Sequence, residues 1–445
     1  MSSEQHAFRA QILHFTDSPD TITGAGVEYF SDGVLLLENG RVKTLASAET
    51  MASAGFDLRQ CQHFPEQLIM PGFIDSHIHY PQTDVIASYG EQLLDWLTQF
   101  TFPTELKFSD PEFAAIATEQ FLQLLLENGT TTAMVYTTVF AQSCEAFFRA
   151  AANKNLRMIA GKVMMDRNAP AQLLDSAESS ERDSRQLIER WHKQGRLHYA
   201  LTPRFAPTST SAQLRAAGKL YQSYPELYLQ THLSENQQEI AWIKTLFPEA
   251  RDYLDVYDSA GLLGPRSVFG HGLHLSDREL RRLADTQSSI AFCPTSNLFL
   301  GSGLLDVQRI ERAQVPLSIA TDVGGGTSFS LLRTLAEAYK VLQLQGQTLH
   351  PLQALYMVTL GNARALHLDS HIGNFASGKE ADFILLNLTA TPLQKIRQEN
   401  AKNLSQTLFA LMTLGDEHNI ARTYIMGKLA FSRTPQTAGD LQWLI

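Results

Sequence analysis

Two histidines separated by one residue are the first indication of chemistry in this sequence. His77 and His79 lie in PGFIDSHIHYPQ, where an apolar run follows the turn-forming pair Pro71-Gly72. On a β-strand, residues i and i+2 project from the same face. Both imidazoles can therefore reach one metal ion if this run is a strand. The alternative is a pair of packed core histidines whose hydrogen bonds are satisfied.

Two further ligand candidates follow apolar runs elsewhere. His232 ends LYLQTH, and Asp322 ends PLSIATD ahead of three glycines. A packed core histidine and a turn or N-cap aspartate are the respective alternatives. However, three imidazoles with one carboxylate leave a coordination position for water, as in catalytic zinc sites. Such ligands suit Zn²⁺, and Fe²⁺ is also tolerated. We expect one ion per subunit.

A second metal ion is not expected. It would need a bridging anion, often a modified lysine at the end of the fourth barrel strand. Arg204 stands at that place, in TPRFAP, and Lys162 lies on the third predicted strand. We therefore interpret Lys162 as structural or as a support for the site, and the site as mononuclear.

Water bound to such a metal becomes nucleophilic near neutral pH, and a neighbouring group must then move its proton. Glu235 follows His232 by three residues and is the predicted proton shuttle; a helix N-cap or first-turn glutamate is the alternative. His271, in FGHGLHL, is predicted to polarise the atom under attack. His274 competes for that role from a loop. Asp322 can also accept the proton of water.

Three residues could recognise a flat substrate with polar edges. The Arg204 guanidinium is a rigid fork for an oxygen or a ring nitrogen, and Phe205 can cover an aromatic face. Gln82 offers both a donor and an acceptor. Glu235, His271 and Asp322 are predicted to contact the same substrate. The alternative for Arg204 is an ordinary surface residue, which an arginine after a proline usually is.

These candidates stand at the ends of predicted strands that alternate with helices. The eight predicted strands are Ile69–His79, Thr131–Tyr136, Arg157–Met165, Leu197–Thr202, Tyr228–His232, Ser267–His271, Ser289–Cys293 and Pro316–Asp322. Amphipathic helices are predicted between them, for example over Pro111–Glu127 and Ser184–Lys193. Eight such repeats predict an α/β chain with a (β/α)₈ barrel, whose catalytic groups lie at the carboxyl ends of the strands.

The two ends of the chain predict a second, smaller module. Val34–Glu38 and Arg41–Lys43 flank Asn39-Gly40, a strong hairpin signal. After a helix around Pro351–His367, the segments Ala381–Leu388 and Arg422–Phe431 are again strand-like. We expect residues 1–68 and 371–445 to form one β-sandwich-like domain, with residues 69–370 as the barrel.

Composition limits the range of functions. The 445 residues carry a formal net charge of −10, with no Lys/Arg-rich run, so we expect no nucleic-acid partner. No apolar run approaches the length of a membrane span, and the polar N-terminus does not resemble a signal peptide. The three cysteines are widely spaced, which favours free thiols and a cytoplasmic location. A homodimer is expected as the commonest assembly.

Taken together, six segments resemble the amidohydrolase superfamily and, more narrowly, its guanine deaminase family. The segments are PGFIDSHIHYPQ at 71–82, TPRFAPT at 202–208, THLSEN at 231–236, FGHGLHL at 269–275, FCPTSNLFLGSG at 292–303 and ATDVGGGTSFS at 320–330. The resemblance extends through most of the chain. Ser76 and Tyr80 depart mildly from the Thr and Phe expected at those positions.

The resemblance implies zinc on His77, His79, His232 and Asp322. It also implies that zinc-activated water attacks the amino-bearing ring carbon of guanine, giving xanthine and ammonia, with Glu235 protonating the adjacent ring nitrogen. Two alternatives stay open. One is a related amidohydrolase that deaminates or dechlorinates another purine, a pteridine or a triazine. The other is a non-catalytic scaffold, which should have lost some of its ligands.

Overall fold

The computed structural model describes residues 4–89 and 93–433. Its strands are β1 Gln5–Phe15, β2 Val27–Glu38, β3 Arg41–Ser47, β4 Gln62–Pro71, β5 Phe73–His79, β6 Thr130–Tyr136, β7 Arg157–Gly161, β8 Val163–Met164, β9 His198–Pro203, β10 Tyr228–Leu233, β11 Ser267–His271, β12 Ser289–Phe292, β13 Leu317–Ile319, β14 Phe383–Asn387, β15 Ile420–Ile425 and β16 Lys428–Ser432. Its α-helices are α1 Ala48–Ser53, α2 Leu93–Trp96, α3 Phe102–Glu105, α4 Pro111–Glu127, α5 Ala141–Asn153, α6 Ala177–Trp191, α7 Ser211–Ser223, α8 Gln237–Leu246, α9 Tyr253–Ser259, α10 Asp277–Thr286, α11 Pro294–Phe299, α12 Val307–Arg312, α13 Leu331–Leu344, α14 Pro351–Tyr356, α15 Asn362–Ala365, α16 Pro392–Glu399 and α17 Leu404–Leu414.

The predicted (β/α)₈ barrel is confirmed. Its parallel strands follow the order β5, β6, β7, β9, β10, β11, β12, β13, and the short β8 pairs with β9. The ring closes through the chain after β13, where the Asp322 amide donates to the His77 carbonyl at 3.0 Å and the His79 amide donates to Val323 at 2.8 Å. Asn362 reinforces this seam by bonding the carbonyls of Ile74 and Ile319.

The sequence explains where the helices begin and end. Asp110 caps α4 by accepting the Glu112 amide, Pro111 occupies its first turn, and Gly129 turns the chain with φ of 75°. This helix has the predicted bounds. In contrast, α6 begins at Ala177 rather than Ser184, because a capping box on Ser176 starts it earlier.

The second sheet is built from both ends of the chain, in the order β16, β15, β14, β4, β1, β2, β3. The Asn39-Gly40 hairpin joins β2 to β3 as predicted. The segment Ile69–Pro71 was assigned to the first barrel strand, and this was wrong: Ile69 pairs with Ile12 and Leu385 of this sheet. Two helices of the tail, α16 and α17, had no sequence prediction.

The domain limits at 68/69 and 370/371 stay a prediction, and residues 1–3 and 434–445 of the predicted β domain lie outside the described residues. Within the described ranges, no helix is both long enough and apolar enough to cross a membrane. The three cysteines are free, as expected.

Candidate active site

The predicted site residues meet at the carboxyl ends of the barrel strands. His77 and His79 end β5, His232 lies near the end of β10, and His271 ends β11. Arg204 and Phe205 follow β9. Asp322 was predicted to end the eighth strand, but β13 ends at Ile319 and Asp322 lies in the loop beyond it. The barrel thus brings together side chains that are distant in the sequence.

Four of these side chains form a compact group of metal-ligand atoms. One ligand atom from each of His77, His79, His232 and Asp322 lies within 4.8 Å of the others. The Nε2 atoms of His79 and His232 are 3.2 Å apart, and His77 Nε2 is 3.3 Å from Asp322 Oδ1. The side chains of His77, His79 and Asp322 are buried, and His232 is partly exposed. The group therefore has the donor atoms and the spacing that a divalent cation requires.

The hydrogen-bond pattern fits a cation at this place. Within the described residues, neither ring nitrogen of the buried His77 makes a hydrogen bond. His232 Nδ1 lies 2.6 Å from the Arg204 carbonyl, which can only accept, so Nδ1 donates and Nε2 keeps its lone pair. Burial, and then the charges of neighbouring groups, lower the pKa of His79 and His232 well below the ordinary value. Neutral imidazoles with free lone pairs are the form that binds metals.

Backbone geometry adds to the case for a functional site. His271 and Asp322 both have positive φ, at 72° and 52°, which is costly for residues with a side chain and is concentrated at functional sites. Gly270 leaves the space that the His77 ring fills, since a Cβ there would lie 2.6 Å from His77 Cε1. Ser296 Oγ holds Asp322 by donating to Oδ2 at 2.6 Å.

Glu235 lies beside this group and is buried. Burial, followed by the charges of Asp322 and Glu239, raises its pKa well above the ordinary value. Ser302 Oγ donates to Oε1 at 3.1 Å, and Oε2 lies 3.3 Å from His271 Nε2. A carboxyl whose pKa is raised holds a proton more readily, so it can both accept and deliver one, as a proton shuttle must.

His271 is arranged as a hydrogen-bond donor. The Asn297 side-chain amide donates to Nδ1 at 2.9 Å, so the neutral ring carries its proton on Nε2. Burial lowers the pKa of His271 well below its ordinary value, and Nε2 lies 3.8 Å from Asp322 Oδ2. The competing candidate, His274, bonds the Ser302 carbonyl at 3.0 Å instead. The geometry therefore favours His271 for the polarising role.

A cavity opens beside the ligand group. Its walls combine apolar and polar side chains, namely His79, Gln82, Leu93, Trp96, Leu97, Arg204, Phe205, His232, Glu235, His271, Leu300 and Asp322, with Gly325. Gln82 Oε1 accepts the Gly324 amide at 3.2 Å, which fixes that side chain. Every predicted substrate-contact residue lies on this wall, and the mixture of apolar and polar side chains is typical of a small-molecule site.

A model described as "Amidohydrolase family" matches residues 68–430. Guanine deaminase from Escherichia coli (strain K12) is 50% identical over 439 residues, which cover 97% of this chain and 100% of that protein. This chain belongs to the guanine deaminases of the amidohydrolase family.

Solved structures of the guanine deaminase family agree with this assignment. The E. coli guanine deaminase structure has a TM-score of 0.94 at 49% identity, covering 96% of this chain and 100% of that one. Guanine deaminase from C. acetobutylicum, solved with bound guanine in its active site, has a TM-score of 0.86 at 26% identity, covering 96% and 100%. The family and fold predicted from the sequence are confirmed.

Several residues of this guanine deaminase site had no sequence prediction. Ser296, Asn297 and Ser302 position Asp322, His271 and Glu235, respectively. All three lie in FCPTSNLFLGSG, and the polar side chains of Ser296 and Asn297, a few residues after a buried strand, were the available signal. Trp96 and Glu105 come from the long segment between β5 and α4, in which no pattern indicated a role.

Lys162 and Cys293 were not predicted as ligands. Lys162 Nζ is 2.5 Å from Asp175 Oδ2 and also bonds the Val163 carbonyl, so its charge is used within the fold. Cys293 lies close enough to His77, His271 and Asp322 to form a second candidate group, although its Sγ donates to the Ala291 carbonyl at 3.4 Å. The interpretation of Lys162 as structural agrees with its bonds to Asp175 and Val163.

Proposed function

We propose that this chain hydrolyses guanine to xanthine and ammonia. The observation that carries the proposal is one cavity whose wall combines the metal-ligand group, the Glu235 carboxyl of raised pKa and the Arg204 guanidinium. Relatives that bear the name guanine deaminase support it over nearly the whole length of the chain. The carbon–nitrogen bond to the exocyclic amine breaks, a carbon–oxygen bond forms, and one water is consumed.

His77, His79, His232 and Asp322 would hold the metal, and zinc is the ion proposed, at one per subunit, with Fe²⁺ as the other candidate. When bound, such an ion acts as a Lewis acid and makes water nucleophilic near neutral pH. The neutral imidazoles and the carboxylate are the donors that zinc prefers.

Two residues are proposed to move and hold protons. Glu235 takes a proton from the attacking water and gives it to the ring nitrogen next to the amino-bearing carbon, which prepares the amine to leave. His271 donates a hydrogen bond from Nε2 to the oxygen that becomes attached to that carbon, and so stabilises the developing charge. Asp322 Oδ2, held by Ser296, is a second acceptor: it takes the remaining proton of the added water, and this proton passes to the amine, which leaves as ammonia.

Recognition of the purine is assigned to the polar edge of the cavity. Arg204 donates a hydrogen bond to the ring carbonyl, and Gln82 makes a hydrogen bond at a ring nitrogen. Phe205 packs on the aromatic face. A site that hydrogen-bonds an oxygen rejects analogues that lack it by large factors. This favours guanine over adenine-type purines, while another purine, a pteridine or a triazine is the alternative substrate.

The remaining proposals concern assembly and place. We propose a homodimer in the cytoplasm that acts on a free small molecule and does not bind nucleic acid. The negative net charge and the cavity at the barrel mouth support the last two statements. Light scattering of the purified protein tests the dimer.

The decisive experiment is incubation of the zinc-loaded protein with guanine while xanthine and ammonia are measured. We expect equal amounts of both products, loss of turnover after chelation and recovery when metal is restored. Adenine, an aminopteridine and an aminotriazine are run in parallel. Guanine left unchanged by protein with stoichiometric metal would refute the proposal, and a faster reaction with one of the other compounds would replace the substrate.

A further inference from the structure

The guanidinium of Arg204 has a buried partner that no sequence pattern indicated. Its Nη1 lies 2.7 Å and 2.9 Å from the two carboxylate oxygens of Glu105. The side chains of both residues are at least 97% buried. The guanidinium carbon also lies 5.5 Å from the centre of the Phe102 ring. Glu105 and Phe102 thus hold one side of the fork in place.

The other half of the fork remains available. Within residues 4–89 and 93–433, Glu105 is the one side chain that bonds the Arg204 guanidinium, so Nε and Nη2 carry no hydrogen bond there. Arg204 nevertheless lines the cavity beside Phe205 and Glu235. A side chain with five donors that uses one of its nitrogens on Glu105 can present the rest to a ligand.

Glu105 belongs to a different part of the barrel mouth from Arg204. It is the last residue of α3, in the segment between β5 and α4, and Leu93 and Trp96 of the same segment form part of the cavity wall. Arg204 follows β9 on the barrel itself. The Glu105–Arg204 ion pair therefore joins the segment between β5 and α4 to the barrel. It lies at the place where the polar edge of the substrate is proposed to bind.

This pairing changes which ligands the cavity favours. An unpaired guanidinium in a site with little water attracts anions strongly, because charge interactions are large where the dielectric constant is low. Paired with Glu105, the guanidinium still donates hydrogen bonds but contributes little net charge. Guanine is neutral at physiological pH, whereas the product xanthine is a stronger acid and is partly anionic. Because the Glu105 carboxylate balances the charge of Arg204, the site favours a neutral oxopurine over an anionic one.

We propose that Glu105 is a positioning and specificity residue: it fixes the Arg204 fork and cancels its charge, so that the site binds neutral guanine and releases the more acidic product. This inference rests on the proposed function, since it assumes that Arg204 contacts the oxopurine. It adds a role for a residue that makes no proposed contact with the substrate.

The test compares a neutral and an anionic competitor of guanine turnover. Hypoxanthine is a neutral oxopurine and urate is a monoanion at neutral pH. In Glu105→Gln, we expect the inhibition constant of urate to fall on the order of 10-fold, while hypoxanthine binds no more tightly. The KM for guanine should rise more than kcat falls. A merely structural role for Glu105 would weaken both inhibitors together, and that result would overturn the proposal.

Two further variants complete the experiment. Glu105→Asp keeps the charge with a shorter side chain, so its urate inhibition should match the wild-type value; tighter urate binding in this variant would also overturn the proposal. It provides the test should the Gln variant fail to fold. Glu119→Gln removes an exposed carboxylate that pairs with Lys154 at 3.0 Å and is the matched control.

The outcome for Glu105 can be separated from the outcome for the proposed function. Wild-type turnover of guanine is measured first, and its absence would count against the function alone. Calorimetric titration of urate and hypoxanthine into the same metal-loaded variants then still reports the charge effect. The proposal fails if these titrations show equal changes for the anion and the neutral purine.

Discussion

Buried carboxyl groups lie at both ends of the barrel, but their surroundings differ. At the amino-terminal end, Glu380 accepts bonds from Arg157 and Arg196. Burial alone would raise the pKa of Glu380, yet the bond from Arg157 and the charges of both arginines outweigh it and lower that pKa. At the carboxyl-terminal end, Glu235 has a serine and a neutral histidine beside it, and its pKa is raised.

The cluster around Glu380 stabilises the fold, whereas the groups at the barrel mouth are arranged for chemistry. Arg196 also bonds Asp382 and the Asn155 carbonyl, so this cluster joins the barrel to the second sheet with its charges matched. At the mouth, His77 and His271 keep ring nitrogens without hydrogen bonds among the described residues. Buried polar atoms without hydrogen bonds destabilise a fold, and they are typical of functional sites, where a metal ion or a substrate supplies the missing partner.

The largest effect is expected at the mouth. Glu235→Gln keeps the shape of the side chain but removes its ability to shuttle a proton, so kcat for guanine should fall about 10²–10⁴-fold. Steady-state kinetics measure the change, and metal content per subunit, measured by mass spectrometry, should stay at the wild-type value. Wild-type kcat in the metal-loaded variant would remove Glu235 from this role.

The amino-terminal cluster should respond in the opposite way. Glu380→Gln leaves two buried arginines with one carboxylate fewer, and the free energy of unfolding should fall by about 3–5 kcal/mol. Chemical denaturation measures it, with the exposed Glu119→Gln as the control, for which about 0–1 kcal/mol is expected. The kcat of the folded Glu380→Gln protein should be unchanged. A loss of kcat without a loss of stability would contradict the assignment of stability to the amino-terminal end of the barrel and of catalysis to the carboxyl-terminal end.

A smaller effect should appear as pH dependence. Burial raises the pKa of Glu239 to about 6, against a hydrogen bond from Tyr253 and two backbone amides that lower it. The folded state then holds this proton more tightly than the unfolded state, so stability that is fully present well below pH 4.5 is lost as the pH rises through 6. The loss amounts to about 2 kcal/mol.

Glu239→Gln isolates this contribution, because the variant has no proton to lose in that range. Its free energy of unfolding, relative to wild type, should increase by about 1.5 kcal/mol between pH 4.5 and pH 6.5. Denaturation at several pH values measures the difference. A relative stability that does not change with pH would show that Glu239 has an ordinary pKa in the folded protein.

Local patterns predicted the strands of the barrel and the candidate metal ligands that lie on them. His77 and His79 could be placed because strand periodicity puts them on one face, and His232 and His271 because each ends an apolar run. Asp322 was assigned correctly to the mouth but not to its loop. Its place depends on the Asp75 carboxylate, which accepts from both the amide and the hydroxyl of Thr321 across the barrel seam.

Other features depend on contacts that have no local signature. Glu105 and Arg204 are 99 positions apart, and the segment that carries Glu105 has neither strand nor helix periodicity to orient it. Likewise, Ile69 belongs to the second sheet because β4 pairs there with β1 and β14, although its apolar run continues into the first barrel strand. Such assignments need the tertiary structure.

We propose that His77, His79, His232 and Asp322 bind one metal ion at the barrel mouth. Anomalous diffraction at the zinc absorption edge, from crystals of the zinc-loaded protein, measures the position of that ion. We expect one strong anomalous peak per subunit, within coordination distance of all four side chains. A peak at another group of residues, or no peak at the barrel mouth of intact, zinc-loaded protein, would contradict it.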